Sequence, residues 1–165
     1  MNDVTPPSSF GIVDRAVATG MSGLAFLEAL LDGSLPAPPA SEAADFWLAE
    51  VAAGRVVFEA RPSARFYNPL GSMHGGWLAM VLDSAMGCAV HSTLAAGRAY
   101  TTVDMTVSLV RPAFESTGLL RCVGQVVHAG RRVVTAEGRL VDGHERLIAH
   151  GSETCMLLDA AEAGA

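Results

Sequence analysis

The informative stretch of this sequence opens at Asn68, the only internal carboxamide besides Gln125, and leads to the isolated carboxylate Asp83. It runs through His74-Gly75-Gly76 into an apolar stretch from Trp77 to Val90. Two glycines opening a helix let a ligand approach bare backbone N–H groups. Those groups carry the positive end of the helix dipole. They suit an anion, or a carbonyl oxygen becoming one. On the glycines alone, tight helix–sheet packing is the simpler account. Asp83 alters that balance, because it stands alone among Met80, Val81, Leu82, Ala85 and Met86. Aspartate is a mediocre helix former and is almost never buried without a partner. It needs either a job or a structural hydrogen bond, for instance to Ser84, and the residue alone leaves the two accounts even. Desolvation would raise its pKa and bonded donors would lower it.

Other chemistries are excluded or disfavoured. All eleven cationic residues are arginine. With no lysine, a Schiff base and a P-loop lysine are impossible. His91, His128, His144 and His150 show no HxH or HExxH spacing, so no metal site is expected. Ser72, Ser84 and Ser92 lack a GxSxG elbow. Cys88, Cys122 and Cys155 form no CxxC pair and read as small buried hydrophobes in a reducing compartment. Arg131-Arg132 can meet a phosphate, although solvated turn charge is the plainer account. Arg111-Pro112 ends a strand.

The elements that must position these groups are legible in outline. The chain has 165 residues, 50% of them hydrophobic and 17% charged, with a formal charge of −6. That fits one folded domain and excludes disorder. It also argues against nucleic acid, which needs a basic stripe. Residues 1–20 read as a flexible N-terminal arm, 21–159 as a single domain and 160–165 as a C-terminal tail. Ser22 to Leu31 reads as a short helix with Ser22 as N-cap and Gly33 as stop. Residues 41–53 are ambiguous between helix and strand. The Ala53-Gly54 break and the following Arg55-Val56-Val57-Phe58 favour a strand within a hairpin. Gly76 to Ser92 is the strongest helix and is apolar nearly all round, hence buried.

Beyond that helix the period changes. Thr102 to Arg111 alternates, with Val103, Met105, Val107 and Leu109 on one face. Leu119–His128, Arg132–Val141 and Arg146–Leu157 are further strands, and Asp142-Gly143 is a strong hairpin signal. One buried helix followed by an antiparallel meander implies an α+β fold with the sheet coating the helix. No basic segment followed by an apolar run opens the chain, so no signal peptide is expected. The apolar stretch containing Asp83 is too short to span a membrane. A cytoplasmic protein is the expectation.

Taken in order, these motifs resemble a family. Asn68-x5-His74-Gly75-Gly76, Asp83 nine positions after the histidine, and Thr102-Val-Asp-Met-x-Val-x-Leu-Val-Arg-Pro are similar to the hotdog-fold acyl-CoA thioesterases of the phenylacetic-acid-degradation (PaaI) type. The resemblance runs from about Gly23 to Met156. It implies a hotdog fold, a long central helix wrapped by a curved antiparallel sheet, with self-association to a dimer or a dimer of dimers. It implies hydrolysis of a coenzyme A thioester to free acid and CoA, without metal or cofactor. Carried over by position, Gly75 would give its N–H to the thioester oxygen and His74 would support that loop. Asp83 would be nucleophile or general base. Asn68 and Thr102 would hold the attacking water or the carbonyl.

Gly76, Trp77, Leu70, Met73 and Met86 are candidate substrate contacts, and Arg131 and Arg132 are candidates for the CoA phosphates. A non-catalytic acyl-CoA-binding or sensing subunit is the alternative, and a hydratase on the same fold is a third. Gly75 and Asp83 are eight residues apart along one helix, roughly 12 Å at about 1.5 Å per residue. A carbonyl held at Gly75 is therefore out of reach of Asp83 in the same chain. Two antiparallel helices across a two-fold axis would bring the two together.

Overall fold

The computed structural model describes residues 5–160. Its elements are α1 (Arg15–Gly20), α2 (Gly23–Leu31), α3 (Pro39–Ala44), β1 (Phe46–Ala52), β2 (Arg55–Ala60), α4 (Gly75–His91), β3 (Arg98–Leu109), β4 (Leu120–Ala129), β5 (Val133–Val141) and β6 (Leu147–Asp159). The six strands form one antiparallel sheet in the order β1-β2-β4-β5-β6-β3. Helix α4 packs against every strand but β1 among those with substantial contact.

The sheet accepts α4 because its floor lacks side chains where the helix comes closest. Gly124 of β4 and Gly138 of β5 are paired in register. A Cβ on Gly124 would collide with the Ala85 carbonyl oxygen, and one on Gly138 would lie 2.8 Å from Leu82. Val81, Leu82, Ala85, Met86, Ala89 and Val90 are fully buried there. Burying a side chain the size of leucine or methionine contributes about 1.5–3 kcal/mol. The helix is nevertheless not covered all round. Met80 remains 43% exposed, and Asp83 and Ser84 are half-buried.

Three sequence expectations need correction. The segment 41–53 is not one strand. Pro39 starts α3, Asp45 turns into the left-handed region at φ 54°, and β1 begins only at Phe46. Alanine-rich sequence with proline in the first turn favours helix. Nor is all of 5–20 a loose arm. Asp14 caps α1, the Thr19 carbonyl accepts from Gly97 N–H, and Arg15 donates to the Ala160 carbonyl. Ala160, expected in the tail, is buried; positions 1–4 and 161–165 lie outside the described residues.

The third correction concerns β3, whose alternation is broken by a bulge between Thr102 and Asp104. Thr102 pairs with Cys155 and Met105 with Glu153, so the extra residue puts Thr102 and Met105 on the same inner face. Val103 is left 54% exposed.

Candidate active site

The start of α4 is set by a short loop that spends its polar groups on itself. Asn68 N–H donates to the Ser72 carbonyl, and the Asn68 carboxamide oxygen accepts from Leu70 and Ser72 N–H. Its amide nitrogen donates to Ser72 Oγ at 3.0 Å. Asn68 thus closes the loop, and only one amide hydrogen is left for anything else. The next residues are tied down on both sides: Met73 N–H donates to Ala113 and His74 N–H to Phe66.

His74 is the N-cap of α4. Its Nδ1 accepts from Gly76 N–H at 2.9 Å, and its carbonyl accepts from Trp77 and Leu78 N–H. Three of the first four N–H groups of the helix are thereby satisfied. The fourth, Gly75 N–H, has no partner among the described residues. A Cβ on Gly76 would press on His74 Nδ1 at 3.0 Å, so that glycine permits the cap. The result is a single free donor at the positive end of a helix, an arrangement suited to a developing oxyanion.

Asp83 lies just over two turns along α4, where Thr102 of β3 reaches it. Burial raises its carboxyl pKa above the ordinary aspartate value, and a hydrogen bond with the Thr102 hydroxyl opposes the rise. A second carboxylate, which the sequence reading missed, completes the cluster. Glu153 of β6 is 1% exposed, with Oε1 2.7 Å from Thr102 Oγ1 and 3.0 Å from Cys155 Sγ. Burial is the main cause that raises its carboxyl pKa, and the charge of Asp83 adds to it. In the sequence Glu153 sits within Ser152-Glu153-Thr154, a polar run that reads as a solvated strand. The only signal available was its alternation with buried Cys155.

Several other expected contacts lie elsewhere. Met86 is fully buried over Gly138, and Met73 and Trp77 are core residues, Trp77 donating its indole N–H to the Ala44 carbonyl. Their size is accounted for by packing in the core. Leu70 is 93% exposed at the tip of the loop. Trp77 and Gly76 do border a shallow groove with Arg65, Tyr67, His74 and Met80. Arg131 and Arg132 are exposed after β4, and among the described residues neither forms an ion pair. Cys88, Cys122 and Cys155 are free thiols. No group of His, Cys, Asp and Glu suited to a metal occurs among the described residues. None of the described helices is long and apolar enough to cross a membrane. An apolar cavity of about 390 Å³, unforeseen in the sequence, lies between α2 and α4, lined by Phe26, Leu30, Cys88, His91 and Tyr100 among others.

The profile of the thioesterase superfamily matches residues 70–149, which span the α4 N-terminus, Asp83 and Thr102. No curated protein matches the chain in sequence. Among solved structures, a phenylacetic acid degradation-related protein of Ralstonia eutropha is 30% identical, with a TM-score of 0.72, over 79% of this chain and 98% of that one. A conserved protein of Pseudomonas aeruginosa is also 30% identical, with a TM-score of 0.67, over 72% and 92% respectively. A Streptococcus mutans protein bound to acetyl-CoA shares the fold at 20% identity, with a TM-score of 0.63, over 69% and 89%.

Proposed function

The chain belongs to the thioesterase superfamily, in its hotdog-fold PaaI type, and from that premise we propose that it hydrolyses an acyl-coenzyme A thioester by attack of a water that Asp83 deprotonates. The observation that carries this reading is the division of labour on α4. Gly75 offers the one unpaired N–H of the helix start, and Asp83 is a half-buried carboxylate on the same helix. Thioester hydrolysis needs an oxyanion donor and a base for water, and these two groups supply them.

The two belong to different sites. Their separation of roughly 12 Å along the helix exceeds the reach of one carbonyl carbon. Each active site therefore takes Gly75 from one subunit and Asp83 with Thr102 from a second copy. The surface supports self-association. Strand β3 is an edge of the sheet, and Val103, Leu109, Val110 and Met80 expose apolar surface. An unpaired edge strand flanked by apolar side chains is a pairing surface.

Within the site, Thr102 orients the Asp83 carboxylate, His74 fixes the loop that presents Gly75, and Asn68 holds that loop closed. The acyl group enters the apolar cavity beside Tyr100 and Cys88, two groups close enough to Asp83 to feel its charge. The acetyl-CoA held by the Streptococcus mutans protein supports CoA as the thiol half.

A panel of aliphatic and aryl acyl-CoA esters, followed by release of free CoA thiol, tests the reading. Turnover of at least one ester that collapses in Asp83→Asn is expected. Tight binding across the panel without thiol release would make the protein an acyl-CoA binder instead.

A further inference from the structure

Glu153 is used by nothing in the mechanism above, yet it lies one hydroxyl away from the base. Its Oε1 faces both Thr102 Oγ1 and Cys155 Sγ, while its Oε2 is buried with no partner among the described residues. An ionised carboxylate would leave half a charge on that unpartnered oxygen, which is far more costly than leaving a neutral carbonyl oxygen there. Thr102 has a single hydroxyl hydrogen and two carboxyl groups that want it. If Glu153 keeps its own proton, it donates through Oε1 to Thr102, and the Thr102 hydrogen is then free to point at Asp83.

We propose that Glu153 is a positioning residue: it holds the one proton shared by the Asp83–Thr102–Glu153 cluster and thereby turns the Thr102 hydroxyl toward the Asp83 carboxylate. The proposal rests on Asp83 being the base. Two carboxyl groups this closely linked titrate as a pair, and the more buried member keeps the proton longer. Asp83 is half-buried and Glu153 fully buried, so Asp83 ionises first. When Glu153 ionises at higher pH, it draws back the Thr102 hydrogen, and Asp83 loses its donor. The titratable groups facing Glu153 are Asp83 and Cys88 from α4, Tyr100 from β3 and Cys155 on its own strand. The β5 residue opposite is Ala136, which carries no charge. Both thiols and the phenol are pushed up by burial, so they stay neutral where the carboxyl groups titrate.

Infrared spectroscopy of the unliganded protein at pH 7 reads the proton directly, independent of turnover. A carboxylic-acid carbonyl band is expected in the wild type and in Asp83→Asn, and its loss is expected in Glu153→Gln. The pH profile of kcat/KM reads the consequence. The wild type should decline on the alkaline side. Glu153→Gln, whose amide can donate to Thr102 but cannot ionise, should lose that decline, keep the acid limb and drop only a few fold in kcat at the optimum. A wild type without the band, a band that vanishes in Asp83→Asn, or an alkaline decline that survives in Glu153→Gln would each overturn the proposal. Should Glu153→Gln fail to fold, the wild type and Asp83→Asn spectra still decide the question. Absence of thioester turnover in every form, with the band intact, would count against the enzyme reading and not against the shared proton.

Discussion

Asp83 was legible as a residue because it is a carboxylate in an apolar helix, and Gly75 because it opens that helix. What the sequence did not disclose is how each is held. Asn68 was expected at the water or the carbonyl, but its carboxamide is mostly committed to closing residues 68–72. Glu153 was invisible because a polar triplet in a strand says nothing about which face is buried.

Asp83→Asn should lower kcat by about 10²–10⁴-fold, the size of a lost general base. It should also melt at a higher temperature than the wild type at pH 7–8. Burial raises the folded-state pKa of Asp83 above 3.8, so the folded form binds the proton more tightly than the unfolded chain. Stability then falls as pH rises through the folded pKa, and the variant escapes that loss. The melting difference should vanish below the unfolded pKa; a variant no more stable at pH 8 would mean that the carboxylate is fully compensated.

Gly75 is the first helical residue, where proline is tolerated, and His74 before it is extended at φ −62°, ψ 134°, as a residue preceding proline requires. Gly75→Pro deletes the donor and should cost about 10²–10³-fold in kcat. Melting curves measured alongside the kinetics check that α4 still forms. Comparable rates for the proline variant and the wild type would remove Gly75 from the oxyanion role.

Elements were easier to foresee than their junctions. The strongest helix and the four strands after it follow from hydrophobic period, and α2 from its Ser22 cap, but the expected meander is broken because β3 pairs with β6 and not with β4. The α3–β1 junction escaped because one left-handed residue, Asp45, separates helix from strand in a segment whose composition suits both. The β3 bulge escaped because the alternating pattern of Thr102 to Leu109 is intact as sequence and is broken only by pairing with β6. That bulge is what lets Thr102 face Asp83 while Met105 and Val107 still pack on the core. The closeness of α4 to the sheet gives a prediction at this level. Gly124→Ala would drive a methyl group into the Ala85 carbonyl, a backbone atom that cannot rotate away. It should destabilise by about 1–3 kcal/mol or more, as overpacking does. Thermal or denaturant unfolding measures this, and an unchanged midpoint would show that the helix can lift without cost.

For the whole molecule, the proposed pairing of Gly75 from one chain with Asp83 from another would make oligomerisation a catalytic requirement. Mixed dimers of Asp83→Asn and Gly75→Pro chains, purified with two tags, should regain up to about half of wild-type activity, since one of their two sites carries both lesions and the other neither. Mixed dimers as inactive as the parents would confine each site to one chain. The charge of the molecule supplies a further test. With a formal charge of −6, it needs local cations to hold an anionic nucleotide, and Arg131 and Arg132 are exposed and uncommitted. Replacing both with alanine should raise KM for acyl-CoA severalfold and leave a truncated pantetheine thioester unaffected. An equal rise for both substrates would show that these arginines do not meet the phosphates.

An enzyme that releases a thiol at every turnover and carries three of its own is open to mixed disulfides wherever an oxidant converts the released thiol to its disulfide. Such exchange begins with a thiolate. Burial pushes the Cys88 thiol up to about 12 and the other two higher still, so none is ionised under ordinary conditions. Thiols held neutral in this way are poor partners for exchange with the coenzyme the enzyme liberates. A thiol-trapping dye added to the folded enzyme should therefore show a flat baseline until substrate is supplied.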